Sequence, residues 1–177
     1  MAIATTTFTT PVGDMIAGAT DAGICLFDYR YRKLMPAIRR RIESGLSDTF
    51  EEGDHSLFSD LRKELDEYFA GKRQEFTVPV HPIGSDFQQS VWSSLLRIPY
   101  GHTVTYMHQA KVYGDEKAIR AIATANGMNC LAIIIPCHRV IGADGSLTGY
   151  AGGLPAKRWL LNHERKNAGK EMQASLF

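Results

Sequence analysis

The stretch LAIIIPCHRV, residues 131–140, places a run of five apolar residues directly before a cysteine and a histidine. Such a run predicts a buried strand over residues 131–135, and Pro136 would stiffen the turn after it. The strand would hold the Cys137 sulfur at its tip, beside His138. A thiolate is the reactive form of cysteine, and an adjacent histidine is a base that can produce it. The pattern is typical of a nucleophilic site and also of a buried, inert cysteine, and the pair alone does not decide between them.

Helix start and stop signals surround this stretch. Four helices are predicted. The first begins behind the capping box Ser85–Gln88, the second and third span residues 105–112 and 116–126, and the fourth runs from Pro155 to about residue 166. Gly114 and Asp115 separate the second and third of these across a tight turn, which predicts a helix-turn-helix. Residues 142–153 hold five glycines and predict a loop.

The first half of the chain has mixed character. Two apolar runs within residues 15–27, joined by a polar turn at 20–23, predict a hairpin. Residues 33–44 have mixed helical character, with Pro36 tolerable only near the first turn. Apolar residues at helical spacing predict a helix over residues 57–69, closed by Gly71. The acidic residues 48–54 are expected to form a loop, residues 76–80 an extended edge, and residues 81–84 a linker.

Composition limits the class of protein. The chain has 177 residues, of which 44% are hydrophobic and 22% charged, as in globular proteins. It has no apolar run long enough to span a membrane, and its first residues do not resemble a signal peptide. Three cysteines are too few for a disulfide framework, so we expect the protein to be located in the reducing cytoplasm. Residues 1–84 carry a formal charge of −3 and the remainder +4, which suits a polyanion near the second half and is equally compatible with a solvated surface of uneven charge.

Several ordered motifs resemble the O6-alkylguanine-DNA alkyltransferases, also called methylated-DNA–protein-cysteine methyltransferases. They are FQQSVW (87–92), IPYGHTVTY (98–106), KAIRAI (117–122), IIIPCHRVIG (133–142), GYAGG (149–153) and KRWLLNHE (157–164). The resemblance implies DNA repair by a single, irreversible transfer of the alkyl group from O6-methylguanine, and more weakly from O4-methylthymine, to the protein's own cysteine. Such a protein is a single-turnover methyltransferase.

The resemblance also implies roles for residues around the cysteine. Cys137 would be the alkyl acceptor, and His138 would deprotonate it through a water. Glu164 would orient His138, and Asn129 would brace the turn before the predicted strand. Tyr106 would donate a proton towards N3 of the damaged guanine.

A pocket for the extruded base is implied by three further positions. The carbonyls of Cys137 and Val140 would read the exocyclic amine of guanine, and the backbone N–H of Ala151 would face O6. Tyr150 would lie close to the reacting sulfur. Ala151 has no hydroxyl where some members carry serine, so only its backbone can donate.

The implied DNA contacts lie on the helix-turn-helix. Its second helix is rich in small residues, a composition that fits close packing against a core or a close approach to DNA. The resemblance implies that this helix enters the minor groove, where Arg120 would fill the gap left by the extruded base. The remaining expected contacts are Thr105, Ala121, Ala125 and Gly127.

The family resemblance predicts an α/β (α+β) protein of two domains. Residues 1–82 would form a ribonuclease-H-like α/β domain, and residues 83–177 a mostly helical, winged-helix-like domain with the helix-turn-helix. We expect a monomer that needs no cofactor and no protein partner and acts on double-stranded DNA. Some members bind zinc in the first domain, but here only Cys25, His55 and His81 are available there, so no zinc is expected. Cys25 is expected in the core, and Cys130 and Gln109 stand where proline and leucine are expected.

Two other classes of function stay open. A sensor that binds alkylated DNA without repairing it would resemble the alkyltransferase-like proteins, which carry tryptophan in place of Cys137. A thiol hydrolase would use Cys137, His138 and Glu164 and would turn over many times. The number of reactions per protein molecule distinguishes the two, because a hydrolase turns over whereas a self-inactivating acceptor reacts once.

Overall fold

A computed structural model describes residues 2–169 of the protein. The first half contains the strands β1 (Ile3–Thr10), β2 (Gly13–Thr20), β3 (Gly23–Tyr29) and β4 (Phe50–Glu52). They form one sheet in the order β3-β2-β1-β4, in which the first three strands are antiparallel neighbours and β4 runs parallel to β1. The predicted hairpin is confirmed as β2 and β3, within a mixed sheet.

Two helices cover opposite faces of this sheet, α1 (Met35–Leu46) and α2 (Ser56–Phe69). Successive residues of a strand face opposite sides. Met15 and Ala17 of β2 therefore pack in the cluster that contains Phe58 of α2, whereas Ile16 packs in the cluster that contains Ile38 of α1. Because both faces are covered, every residue of β3 is buried.

The acidic segment 48–54 is not simply a loop, so that prediction is wrong at its centre. Ile3 and Phe50 are paired in the parallel ladder between β1 and β4. Phe50 packs against the cluster under α1, and the Arg39 guanidinium lies 4.7 Å from its ring centroid. The exposed Glu51 and Glu52 give the segment its loop-like composition although its backbone is paired.

The second half is mostly helical, as predicted. It contains α3 (Asp86–Leu95), β5 (Val104–Thr105), α4 (Tyr106–Tyr113), α5 (Ile119–Gly127), β6 (Val140–Ile141) and α6 (Leu154–Ala168), with 3-10 turns at Glu116–Ala118 and Cys137–Arg139. The capping box is confirmed. The Ser85 hydroxyl accepts from the Gln88 N–H at 3.2 Å, and the Gln88 side chain accepts from the Ser85 N–H at 3.0 Å.

The helix-turn-helix consists of α4 and α5. Gly114 ends α4 with φ of 102°, a conformation that glycine adopts without strain. The carboxylate of Asp115 then accepts from the Lys117 N–H at 2.9 Å. The prediction of one continuous helix over residues 116–126 is wrong, because its first turn is the 3-10 segment, and Gly127 is the last residue of α5 rather than the residue after it.

Residues 131–135 are buried as predicted, but they do not form a strand. The chain pairs with β3 through a single bridge, in which Phe27 donates to the Cys130 carbonyl at 2.8 Å and accepts from the Ala132 N–H at 2.7 Å. It then turns back on itself, with Ile133 at φ of 71° and the Ile135 N–H donating to the Leu131 carbonyl at 2.9 Å. This buried turn joins the second half to the edge of the sheet and ends at Cys137.

Within residues 2–169, none of the helices has the length and apolar character that crossing a membrane requires.

Candidate active site

Cys137 opens the 3-10 turn that follows the buried turn, and it is partly exposed to a cleft of about 430 Å³. The cysteine therefore stands at the tip of a turn rather than of a strand. Burial raises the pKa of the Cys137 thiol above its ordinary value, and a hydrogen bond with the Asn129 side chain opposes this only in part. The resting group is a thiol, so the reactive thiolate requires a base.

His138 follows directly and is fully buried. Its Nε2 lies 2.7 Å from Oε2 of Glu164, which α6 carries into the core. Burial lowers the pKa of His138, and the carboxylate of Glu164 opposes this only in part, so the imidazole is neutral at pH 7. Its Nδ1 is buried and has no hydrogen-bond partner among the described residues, which leaves this nitrogen able to accept a proton.

Glu164 collects four hydrogen bonds. Besides His138, the Tyr68 hydroxyl donates to Oε2 at 2.7 Å, and Arg139 donates from Nε at 2.8 Å and from Nη2 at 3.0 Å. Burial alone would raise the pKa of Glu164, but His138 and Arg139 outweigh it and hold the pKa of this carboxyl below its usual range. A carboxylate that is charged at neutral pH thus lies behind the neutral imidazole.

Asn129 lies at the start of the buried turn and spans it with both ends of its amide. Its Nδ2 donates to the Ile135 carbonyl at 2.9 Å, and its Oδ1 accepts from the Leu131 N–H at 3.0 Å. These bonds close the loop that presents Cys137, at the position where the resemblance places a bracing residue.

The cleft above the sulfur has three walls. One is the loop before α6, with Gly149, Tyr150 and Ala151, together with Tyr106 of α4. The second wall is α5 together with the residue after it, and it consists of Ala123, Thr124, Asn126, Gly127 and Met128. The third wall is the β3–α1 loop, and it consists of Arg32, Lys33 and Leu34. A cleft of this size can hold a single base. A larger groove of about 730 Å³ between β1, β4 and α1 contains no cysteine or histidine.

Tyrosine hydroxyls and a buried lysine order the loop wall. The Tyr106 hydroxyl donates to the Thr148 carbonyl at 3.3 Å, and the Tyr29 hydroxyl donates to that of Tyr150 at 2.9 Å. Lys157 is fully buried, and its Nζ donates to the same Thr148 carbonyl at 2.8 Å. Burial lowers the pKa of Lys157 to about 8, while the nearby Cys137 thiolate would raise it.

Comparison with known proteins identifies the family of this chain, which the sequence motifs had only suggested. Residues 3–82 match the family described as 6-O-methylguanine DNA methyltransferase, ribonuclease-like domain, and residues 86–166 match its DNA binding domain. The methylated-DNA–protein-cysteine methyltransferase of Methanosarcina acetivorans is 42% identical over 157 residues, which is 89% of this chain and 95% of that one. The chain belongs to the 6-O-methylguanine DNA methyltransferase family.

Solved structures agree with this assignment. The Mycobacterium tuberculosis O6-methylguanine methyltransferase has a TM-score of 0.77 and 38% identity, over 98% of both chains. The structure of the Mycobacterium tuberculosis OGT in complex with DNA has a TM-score of 0.79 and 38% identity, over 93% of this chain and 94% of that one. The predicted family and fold class are confirmed: a ribonuclease-like α/β domain followed by a helical DNA-binding domain.

The structure distributes the predicted DNA contacts of this family member unevenly. Arg120, Ala121 and Gly127 are exposed along α5, and the Thr105 hydroxyl caps α4 by accepting from the backbone of the third helical residue at 3.0 Å. The prediction for Ala125 is wrong. Ala125 is 3% exposed within the core between the helices, and its carbonyl accepts from the indole of Trp92 at 2.8 Å, so neither group can reach DNA.

Val140 is fully buried in β6, which pairs with β5, and its side chain is not part of the cleft wall. Of Val140, only the backbone carbonyl could therefore bind the exocyclic amine of guanine, as the resemblance implies. The Cys137 carbonyl accepts from the Val140 N–H, which fixes the turn behind the sulfur.

The unexpected residues Gln109 and Cys130 are accommodated by the core. Gln109 and Asn126 exchange two side-chain hydrogen bonds, of 2.9 Å and 2.7 Å, between α4 and α5. Cys25 lies in the core, as predicted, and Cys130 is buried beside it. The sulfur of Cys130 accepts a hydrogen bond from the Arg41 guanidinium at 3.3 Å. Within residues 2–169, no group of three or more His, Cys, Asp or Glu side chains converges as metal ligands would.

Sequence reasoning missed three buried polar residues of the site, namely Tyr68, Arg139 and Lys157. Arg139 lies inside the PCHRV motif, so its position was a usable signal. Lys157 likewise lies inside the motif KRWLLNHE, whereas Tyr68 gave no local sign, because it looks like an ordinary residue of an amphipathic helix until its partner is known.

Proposed function

We propose that Cys137 is the residue that accepts the alkyl group. The family reaction, transfer of a methyl group from O6-methylguanine in DNA to a cysteine of the protein itself, is the activity of this chain, and it repairs DNA. Cys25 and Cys130 are fully buried, whereas Cys137 opens into the cleft. The observation that carries the proposal is the position of Cys137 in this cleft, with the His138–Glu164 pair directly behind it.

The proposed first step is removal of the thiol proton. A neutral His138 accepts the proton on Nδ1 through a water, because its other nitrogen is held by Glu164. The imidazolium that forms is then stabilised by the buried carboxylate. Because burial raises the pKa of the Cys137 thiol, a resting thiolate would be costly at this position. Transfer of the proton during the reaction avoids that cost.

The second step is an in-line displacement at carbon. The Cys137 sulfur forms a bond to the alkyl carbon while the bond from that carbon to O6 breaks. The electron pair of that bond goes to guanine, and Tyr106 assists by donating a hydrogen bond at N3. The proton that left the thiol balances the reaction when it passes from His138 through solvent to the guanine ring, so that guanine leaves as the neutral base. Burial raises the pKa of Tyr106, so the hydroxyl stays protonated and able to donate. The thioether has no route back to a thiol, so each molecule reacts once.

Guanine must leave the helical stack to reach this sulfur, which costs a few kcal/mol. The protein binds DNA, and we propose that α5 enters the minor groove of double-stranded DNA with Arg120 in the vacated position. Ala121 and Ala123 present small side chains on the accessible side of this helix, which supports a close approach. Cys137 and Val140 would bind the guanine amine through their carbonyls, and Ala151 would donate to O6 from its backbone.

We further propose that the protein acts as a monomer in the cytoplasm and needs no cofactor. O4-methylthymine should react more slowly, because it lacks the purine amine that the two carbonyls bind.

Titration of the protein with a duplex that carries one O6-methylguanine tests this function. Repaired DNA should reach a plateau at one equivalent per protein, and Cys137→Ala should bind the duplex without repairing it. Repair beyond one equivalent would indicate a thiol hydrolase, and binding without repair by the wild-type protein would indicate a sensor.

A further inference from the structure

The loop between β3 and α1 belongs to the ribonuclease-like domain, yet it forms one wall of the cleft that holds Cys137. Arg32, Lys33 and Leu34 line this wall, beside the C-terminal end of α5. We propose that this loop is part of the DNA-binding surface and that Lys33 binds a phosphate of the strand that carries the lesion. The inference rests on the proposed function and extends it to a domain outside the helix-turn-helix.

The loop is held against the DNA-binding domain by Arg32. Its Nη1 pairs with Asp28 at 2.7 Å and donates to the Asn129 carbonyl at 3.2 Å, and its Nη2 donates to the Gly127 carbonyl. The charge of Arg32 is therefore balanced within the protein. Its role is to fix the loop next to the end of α5, so that the position of Lys33 does not depend on a mobile segment.

Lys33 is the cation of this wall that remains available to a ligand. It is exposed at the rim of the cleft, and it has no ion-pair or hydrogen-bond partner in the part of the chain that the structure describes. An unpaired ammonium at the rim of a cleft suits an anion that arrives with the ligand.

The sequence around the loop adds to the same charge. Residues 30–41 contain six lysines and arginines and no carboxylate, although residues 1–84 as a whole carry a charge of −3. The positive charge of this domain is thus concentrated in the segment that contains the loop, and Arg32 and Lys33 are the two of these six residues that line the cleft. A segment of this sign beside the cleft fits a phosphate backbone.

The chemistry of the ligand explains why a phosphate should arrive there. A nucleotide that enters the cleft brings the phosphates on its two sides to the rim, because each base is attached between two of them. One wall of the rim is α5, the proposed DNA-binding helix, and the loop lies beside its C-terminal end, within reach of the backbone on one side of the flipped nucleotide. Leu34, which is 46% exposed, offers an apolar contact to the sugar of that backbone.

Comparison of two substrates tests the proposal. Duplex DNA with O6-methylguanine carries phosphates, whereas the free base O6-benzylguanine carries none and reports on the sulfur and the pocket alone. Lys33→Ala should weaken binding of the duplex about 2- to 5-fold, the effect of one exposed ion pair. Lys33→Glu should weaken it further, and the slope of log affinity against log salt should fall by about 0.9 in Lys33→Ala.

The matched control is Lys63→Ala, which removes an exposed lysine from α2 on the opposite face of the sheet. This variant should react with both substrates like the wild-type protein. The ratio of duplex repair at limiting DNA to free-base reaction should fall in both Lys33 variants. An unchanged affinity and salt slope, or an equal loss on both substrates, would overturn the proposal. Failure of the wild-type protein to repair the duplex would instead contradict the proposed function.

Discussion

Replacing Glu164 with glutamine tests the buried network behind the nucleophile. In the wild-type protein, two oxygens of one carboxylate accept all four donors, from His138, Tyr68 and Arg139. Glutamine has the same shape but offers only one oxygen, and its NH2 group is itself a donor. At least one of the buried donors must then face another donor, and Arg139 loses its counter-charge.

The expected effects follow from these contacts. Removing one partner of a buried ion pair costs about 3–5 kcal/mol, because the remaining charge is left without compensation. We therefore expect Glu164→Gln to lower the free energy of unfolding by that amount. Loss of the carboxylate behind His138 should slow transfer from lesion DNA by about 10²–10⁴-fold, the range found for general-base catalysis.

Tyr68→Phe is the matched control, because it removes one donor and keeps the carboxylate. A hydrogen bond to a charged group contributes about 1.5–3 kcal/mol, so this variant should be less destabilised than Glu164→Gln. Its transfer rate should fall by much less, since His138 keeps its partner.

Urea unfolding gives the stabilities, and single-turnover repair under conditions where each variant is folded gives the rates. Acid adds a second readout. The lowered pKa of Glu164 contributes stability that is present above the ordinary carboxyl pKa of 4.5 and is lost as pH falls below it. Glu164→Gln should lack this contribution. A folded Glu164→Gln protein that repairs DNA at the wild-type rate would refute the role given to the carboxylate.

Three further predictions concern the core, the cleft and pH. Gln109→Leu leaves Asn126 without its partner and should lower the free energy of unfolding by about 1–3 kcal/mol in urea; an unchanged value would show that the pair contributes nothing. Gly152→Ala places a methyl group against the Tyr29 ring, so single-turnover repair should slow, and wild-type kinetics would contradict that contact. Because burial lowers the pKa of His138, the repair rate should decline only below pH 6.5, and a midpoint above that value would contradict a neutral imidazole.

The helical half of the fold could be predicted because its signals are local. Ser85 and Gln88 form a capping box three residues apart, and Gly114 needs only its own backbone to end α4. The buried turn at residues 131–135 could not be predicted in this way. A short apolar run is compatible with a strand or a turn, and the outcome depends on the edge of β3, about a hundred residues earlier, and on the unusual backbone of Ile133.

The candidate site divides along the same line. Cys137 and His138 are adjacent and lie in a motif, so the sequence pointed to them directly. Glu164 came from the position of a second motif, KRWLLNHE. Tyr68 was missed because its partner Glu164 is 96 residues away, and Lys157 because only the folded loop brings carbonyls to its ammonium. Buried polar groups are identified by their partners, which the tertiary fold supplies.

In the proposed reaction a single sulfur, that of Cys137, receives the alkyl group. Peptide-resolved mass spectrometry after exposure to duplex DNA with O6-methylguanine tests it most directly, since Cys25 and Cys130 serve as internal controls in the same sample. We expect one methyl group on the Cys137 peptide, in an amount equal to the lesions lost, and none on the peptides of Cys25 and Cys130. Lesions that disappear while Cys137 stays unmodified would contradict it.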